Sequence, residues 1–352
     1  MTNPKSLAIV VGAGASKEAN LPIGVELKHQ IASVLNIRVE RGLQTRGDDH
    51  IIEAFRLIAT TPEGRQGDIN PYLQASSMIR EAMPQAASID NFIDAHRGNE
   101  KIAECGKLAI ARCILDAEAN SAMRVDRSNI CNKINFKGLE STWYNLFFRL
   151  LVENCQLQDI PERLSRIAII TFNYDRCIEN YLHAALRNYY GIEIQEATAL
   201  LASLRVFHPY GSLGPLTWTA NPNAIDFGAT PNTRQLLAIA RELKTFTEGT
   251  DETHSDIVEI RSTLQSAARV AFLGFAFNRQ NLDLLYGPIG QSVSWRDVPV
   301  FATALGLSTS DVEIISKELN AMAGYESKGI RIRRDLTCAQ LLQEYSRSLA
   351  IR

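Results

Sequence analysis

Four short clusters in this 352-residue sequence hold side chains suited to binding or cleaving a phosphate-bearing small molecule. Gly12-Ala13-Gly14 follows an apolar run and precedes a helix-competent stretch. Two glycines there let the backbone turn sharply and come close to a phosphate, and a helix start offers free N–H groups and a positive dipole end. Thr171-Phe-Asn-Tyr-Asp175 follows a second apolar run. Asn173 offers a donor and an acceptor with no charge to compensate, so it can hold a hydroxyl or position a water. Asp175 can accept from a hydroxyl or an amide, or it can cap the helix predicted to begin at Arg176. Val206-Phe-His-Pro-Tyr-Gly-Ser-Leu213 carries His208, the natural general base near neutral pH. In an extended chain His208 and Tyr210 face the same side, so the alternative is a structural His208 with Tyr210 in the reactive slot. Leu273-Gly-Phe-Ala-Phe-Asn-Arg-Gln-Asn-Leu282 opens on a glycine after another apolar run. Its Arg279 either pairs with a phosphate or is solvated at the surface.

These clusters need a frame, and the apolar runs before them supply it. Leu7–Val11, Ile167–Thr171, Leu204–His208, Val270–Leu273, Val298–Ala304 and Gly329–Arg333 are short and mostly without polar alternation. Such runs read as strands covered on both faces, the pattern of a parallel sheet. Strands alternating with helical stretches predict an α/β fold with a doubly wound, mostly parallel, Rossmann-like sheet. In that fold ligands bind at the carboxyl ends of the strands, and all four clusters fall at predicted strand ends. Residues 41–159 hold no strong strand. Leu108–Leu115 and Trp143–Val152 carry apolar residues at helical spacing, so 41–159 is predicted to be a helical insertion packed on an α/β domain of 1–40 and 160–352. Gly, Pro, Asn and Thr crowd Gly211–Thr233, which predicts a long loop.

Composition narrows the function classes. Lys plus Arg total 37 against 39 Asp plus Glu, a net charge of -2. That balance argues against dedicated sequence-specific nucleic-acid binding. Six cysteines, none in a C-x-x-C pair, predict no zinc site and no other metal, and scattered thiols suit a reducing compartment. No apolar run approaches the roughly 20 residues of a membrane span. Leu7–Val11 reads as a buried strand, not a signal peptide, so the expected location is the cytoplasm and no membrane partner is expected. A G-x-G-x-x-G dinucleotide fingerprint would need glycine where Lys17 stands, and an acidic residue about 20 positions on. Glu40 comes late for that role, so an ordinary nicotinamide dehydrogenase fits poorly.

The longer string Gly12-Ala-Gly-Ala-Ser-Lys-Glu-Ala-Asn-Leu-Pro-Ile-Gly24 resembles the opening of sirtuin-like domains, G-A-G-x-S followed by a proline loop. It is most similar to their divergent prokaryotic branch, associated with antiviral NAD hydrolysis. Sirtuin deacetylases follow the proline with Asp-Phe-Arg, whereas Pro22 here precedes Ile23-Gly24-Val25, and their two C-x-x-C pairs are missing. Thr171–Asp175 resembles the family's T-x-N-x-D. Residues 208–212 resemble its H-G-S segment, with Tyr210 directly before Gly211 and Ser212. Gly274–Phe277 resembles its G-[YF]-x-F loop, and Ser88–Ile93 its S-I-D-x-F segment.

The resemblance implies NAD as substrate and hydrolysis of the nicotinamide–ribose bond. Asn173 and His208 would be catalytic. Gly12, Ala13, Gly14, Ser16, Pro22, Asp175, Tyr210, Gly211, Ser212, Gly274, Phe275 and Asn281 would line the NAD site. It also implies control of a toxic activity, through homo-oligomerisation or a separately encoded partner such as a HerA-like ATPase. The rival expectations are an NAD-dependent protein deacylase and a non-catalytic scaffold that binds NAD or ADP-ribose.

Overall fold

Leu7–Val11 (β1) is buried along its whole length, which only a strand with cover on both faces allows. The computed structural model describes residues 6–40, 43–125, 133–245, 248, 255–287 and 297–351. A short antiparallel pair, Arg38–Glu40 (β2) and Leu43–Arg46 (β3), stands apart from the main sheet. The remaining strands are Ile167–Thr171 (β4), Arg205–Phe207 (β5), Val270–Leu273 (β6), Val300–Thr303 (β7) and Ile330–Arg333 (β8). With β1 they form a six-stranded sheet in the order β5-β4-β1-β6-β7-β8. Every pairing in it is parallel.

Counted in chain order, these six strands run 3-2-1-4-5-6, the doubly wound Rossmann-type arrangement. The chain builds outward from β1 through β4 to β5, then returns to the other side of β1 for β6. Val11 is in register with Thr171 on one side and with Leu273 on the other. Gly12, Phe172 and Gly274 therefore leave the sheet side by side, at the point where the strand order reverses.

Alternate residues of β1 enter two different cores. Ala8 and Val10 pack in one, Leu7, Ile9 and Val11 in the other. After the short helix Ala13–Ser16 (α1) and Gly24–Val34 (α2) come Asp49–Ala59 (α3), Asn70–Ala82 (α4), Ile89–Ala95 (α5) and Glu100–Ala119 (α6). These contribute to the first core. Trp143–Val152 (α7), Ile160–Ser165 (α8) and Cys177–Tyr190 (α9) contribute to the second, on the opposite face. The stretch expected to be an insertion is thus the crossover from the first strand to the second, and it supplies cover to both faces. Ile194–Leu201 (α10) precedes β5, and Thr233–Glu242 (α11) packs in the first core with α6. Residues 211–232 carry neither helix nor strand, as their composition predicts.

Two carboxylates missed in the sequence fasten this crossover. Glu18, just past the glycine turn, accepts the backbone N–H of Trp143 at 2.6 Å and of Ala339 at 3.0 Å. It caps two helix starts at once, α7 and Cys338–Glu344. Glu118, near the end of α6, is 0% exposed and meets Arg176, 2% exposed, at 2.6 Å. Among the described residues no helix is long and apolar enough to cross a membrane. Cys105, Cys113, Cys155, Cys177 and Cys338 are free thiols, and Cys131 lies outside the described residues.

Candidate functional site

The glycine turn after β1 is pressed against the turn after β6. Gly12 N–H donates to the Leu273 carbonyl at 3.0 Å, Gly14 N–H to the Gly274 carbonyl at 3.0 Å, and Ala15 N–H to the Gly12 carbonyl at 2.9 Å. A Cβ on Gly12 would lie 2.6 Å from the Gly274 oxygen, and one on Gly14 would lie 2.9 Å from the Gly274 Cα. Gly274 has φ +57°, and a Cβ there would lie 2.0 Å from the Ala15 nitrogen. The close approach that demands glycine at all three positions is met by backbone against backbone, and the N–H groups of Gly12, Gly14 and Ala15 are each bonded within the protein. A side chain at Gly14 would break this contact, which makes that position a poor probe of ligand binding. Ala13 and Pro22 flank the turn and are partly exposed.

Ser16, at the end of α1, gathers the polar groups. Its hydroxyl donates to Asp175 Oδ2 at 2.8 Å and accepts from Asn173 Nδ2 at 2.8 Å and from the Tyr144 hydroxyl at 3.4 Å. One donor and two acceptor positions are all a serine has, so Ser16 is saturated. Asn173, 8% exposed, also donates from Nδ2 to the Gly12 carbonyl at 3.1 Å. The asparagine after β4 thereby holds the glycine turn after β1. Asp175 accepts from the N–H of Cys177, the first residue of α9, at 3.1 Å through Oδ1. It thus ties the first N–H of the helix to Ser16, with both carboxylate oxygens engaged inside the protein. Burial pushes the Asp175 carboxyl above its ordinary range, against the lowering effect of its bonds to Ser16 and Cys177.

His208 stands in the same shell but not as a free base. Its Nε2 lies 2.7 Å from Glu179 Oε1 and its Nδ1 lies 3.3 Å from the Asn173 carbonyl. Both partners can accept hydrogen, so the geometry suits a charged ring that donates from both nitrogens. Burial opposes that charge, but the Glu179 carboxylate and the Asn173 carbonyl outweigh it and raise the imidazole pKa. Burial likewise opposes the Glu179 carboxylate, and the His208 charge and hydrogen bond overcome it, lowering its pKa. As placed, His208 ties α9 to the main chain of Asn173, with both ring nitrogens engaged inside the protein.

This pair sets a pH window. Its stabilisation is complete between the ordinary pKa of Glu179, 4.5, and that of His208, 6.5. It is lost as pH falls through the lowered Glu179 value or rises through the raised His208 value. Urea unfolding of parent and Glu179→Gln should therefore differ most near pH 6 and converge as pH rises past the His208 pKa. A difference that stays constant up to pH 9 contradicts the pairing.

Tyr210 does not occupy the place of a base. It is 8% exposed, its ring meets Phe172 edge-on at 5.5 Å, and its hydroxyl donates to Asn281 Oδ1 at 2.6 Å. Burial pushes the Tyr210 phenol well above its ordinary value, so it stays protonated. Gly211 has φ +76° and closes a turn onto the His208 carbonyl at 2.9 Å. Ser212 accepts from the Gly214 N–H at 3.4 Å, within the loop. Phe275 packs on Phe172 at 5.2 Å, joining the two sides of the crevice. Arg279 pairs with Asp283 at 2.9 Å and also faces Glu318, so its charge is spent on carboxylates. Ser88 caps α5 through the Asn91 N–H at 3.0 Å, and Asp90 of that helix accepts from the Tyr174 hydroxyl.

The structure therefore brings Gly12, Ser16, Asn173, Asp175 and His208 into one bonded cluster, and Tyr210, Phe275 and Asn281 into a second layer over it. Sequence reading missed Glu179 and Tyr144, and it singled out Asp90 only within the Ser88–Ile93 segment. Glu179 had a signal, lying in the first turn of the helix that follows Asp175. Tyr144 had none, because only tertiary packing brings it in. Among the described residues no three His, Cys, Asp or Glu side chains are placed to hold a metal ion. Compared with known proteins, the chain matches no protein-family model and no curated protein.

Proposed function

We propose that this protein binds NAD at the switch point of its sheet and hydrolyses the nicotinamide–ribose bond. The observation that carries the reading is the buried Asn173–Ser16–Asp175 cluster, bonded to the glycine turn at the carboxyl ends of β1 and β4. In a doubly wound sheet ligands lie in this crevice. The order of the short motifs supports the same reading through their resemblance to sirtuin-like NAD hydrolases.

The chemistry suits the groups present. The C–N bond breaks with both electrons going to the pyridinium ring, so nicotinamide leaves neutral and no strong general acid is needed. Water then adds to an oxocarbenium-like ribose and releases one proton to the surrounding solvent, so the products are nicotinamide, ADP-ribose and H+. Asn173 orients the ribose or the water, and the buried Asp175 places negative charge near the developing cation. His208 acts through its hold on the Asn173 carbonyl. Depletion of NAD is toxic, so control belongs to the proposal. Assembly with further copies, or with a separately encoded ATPase of the HerA-like kind, would supply it in an antiphage setting inside the cell.

Incubation with NAD alone is the test, run on the chain alone and with any assembly partner added. Release of nicotinamide with ADP-ribose is expected. Release only when an acyl-lysine peptide is added would favour a deacylase. Binding without release would favour the scaffold reading, which the pinned His208 keeps in view. The pH dependence separates the two roles of His208. A general base loses activity as acid protonates it, whereas a positioning imidazolium loses activity as pH rises through its raised pKa. A fall on the alkaline side is expected, and a rate that rises with pH through this region returns His208 to the base role.

A further inference from the structure

Tyr210 follows β5 and Asn281 follows β6, and these strands are separated in the sheet by β4 and β1. At about 4.8 Å between neighbouring strands, β5 and β6 lie roughly 14 Å apart. Yet the Tyr210 hydroxyl reaches Asn281 Oδ1 at 2.6 Å. The two side chains therefore bridge from one half of the sheet to the other, over the ends of the two strands that carry Asn173 and the glycine turn. Beneath the bridge, Tyr210 stacks edge-on against Phe172, and Phe172 packs against Phe275. The aromatic rings fill the switch-point crevice from both sides.

Each end of the bridge is held differently. On the Tyr210 side, the Tyr210 carbonyl accepts from Lys244 N–H at 2.9 Å, and Gly211 at φ +76° fits so closely that a Cβ would lie 2.3 Å from the Glu242 carbonyl. That arm is anchored to the end of α11. On the Asn281 side, the loop from β6 leads into the helix Arg279–Tyr286, which carries Asn281. Phe277 in that loop is strained, with φ +54° in a left-handed conformation that a bulky aromatic disfavours. Phe277 is kept there by Phe272 and Phe275, each at 5.1 Å. Strained segments of this kind persist only where their surroundings hold them, and they gather at switches.

We propose that the Tyr210–Asn281 hydrogen bond is a strap that holds the switch-point crevice shut over Asn173, and that a ligand reaches the crevice only when the strap opens. The arm on α11 stays, Gly274 stays bonded to Gly14 and Thr303, and the β6 loop beyond it, around the strained Phe277, is the part that moves. A protein whose competent state is a minor fraction binds more weakly by that fraction. Cutting the strap therefore tightens binding, the opposite of what loss of a ligand contact does. The strap as a closure stands on the geometry alone. Only the identity of the ligand rests on the proposed NAD reading.

The test uses the full chain with Tyr210→Phe, which keeps the ring on Phe172, and Asn281→Ala as a second variant. Hydrogen exchange reports residues 171–176 and 275–278, and calorimetry reports affinity for ADP-ribose. One net hydrogen bond corresponds to about a 5- to 10-fold change. Both variants are expected to speed exchange in the two segments by about that factor and to tighten ADP-ribose binding comparably. Unchanged exchange in both variants overturns the strap. So does weaker ADP-ribose binding in both, since the side chains would then be ligand contacts. Faster exchange with no ADP-ribose or NAD binding in any form supports the strap and removes the NAD reading instead.

Discussion

Asn173→Ala is expected to lower nicotinamide release by about 10²–10³-fold, as loss of a positioned hydrogen-bond group in a catalytic site does. The side chain is buried, and its amide holds both the Gly12 carbonyl and the Ser16 hydroxyl. Removal takes one donor from each acceptor, but Ala15 N–H and the Tyr144 hydroxyl remain on them, so the cost is about 0.5–1.5 kcal/mol for each lost bond. The protein should therefore unfold at lower urea but still cooperatively, so the activity loss is separable from unfolding. Asn173→Asp is the sharper variant. It keeps the shape but replaces a donor with a carboxylate facing the Gly12 carbonyl, so it should be as inactive as the alanine variant. Measured turnover of purified variants under NAD saturation decides the matter. If either variant retains parental turnover, Asn173 is a structural tie and the active site lies elsewhere.

Glu118→Ala is expected to be the most destabilising single change at any charged position described above. Glu118 Oε1 accepts from Arg176 N–H at 2.9 Å and Nε at 3.2 Å, and Oε2 from Arg176 Nη2 at 2.6 Å and Gly228 N–H at 3.1 Å. The guanidinium also donates to the carbonyls of Ile225 at 2.9 Å and Asp226 at 3.1 Å. One buried pair thus joins α6, the start of α9 and the 211–232 loop. Stranding the Arg176 charge without its carboxylate costs about 3–5 kcal/mol, a large share of the roughly 5–15 kcal/mol that holds a typical domain. Replacing both partners, Glu118→Leu with Arg176→Met, removes the stranded charge and should recover part of that loss. Urea denaturation of the three forms gives the comparison. A single variant within about 1 kcal/mol of the parent would mean that water or local rearrangement solvates Arg176, and the pair does not hold the crossover.

Both expectations depend on contacts between residues far apart in the chain, and this separates what could be read from the sequence from what could not. All six strands of the sheet were legible as short apolar runs: β1, β4, β6 and β7 because burial on both faces leaves them unalternating, and β5 and β8 within Leu204–His208 and Gly329–Arg333, although these edge strands are partly exposed. Helices α6 and α7 were legible from apolar spacing. The β2–β3 pair was not, because a short strand pair outside the sheet has no such periodicity. The strand order was not legible either: nothing in Leu7–Val11 says that its neighbours are Ile167–Thr171 and Val270–Leu273.

At the site, residue type was enough to single out Asn173, Asp175, His208 and the glycines, because the chemistry each can do is intrinsic to its side chain. What each one does here was decided by its neighbours in space. The glycines permit close backbone approach, and because β6 returns beside β1 the backbone that approaches is that of Gly274. His208 carries an ordinary pKa that suits a base. A carboxylate one turn into α9 and a carbonyl after β4 engage both its ring nitrogens and raise its pKa against the opposing effect of burial. A side chain's protonation state is set by the charges and acceptors within hydrogen-bond reach. For His208 those come from residues 29 and 35 positions away, which only the folded chain brings into contact.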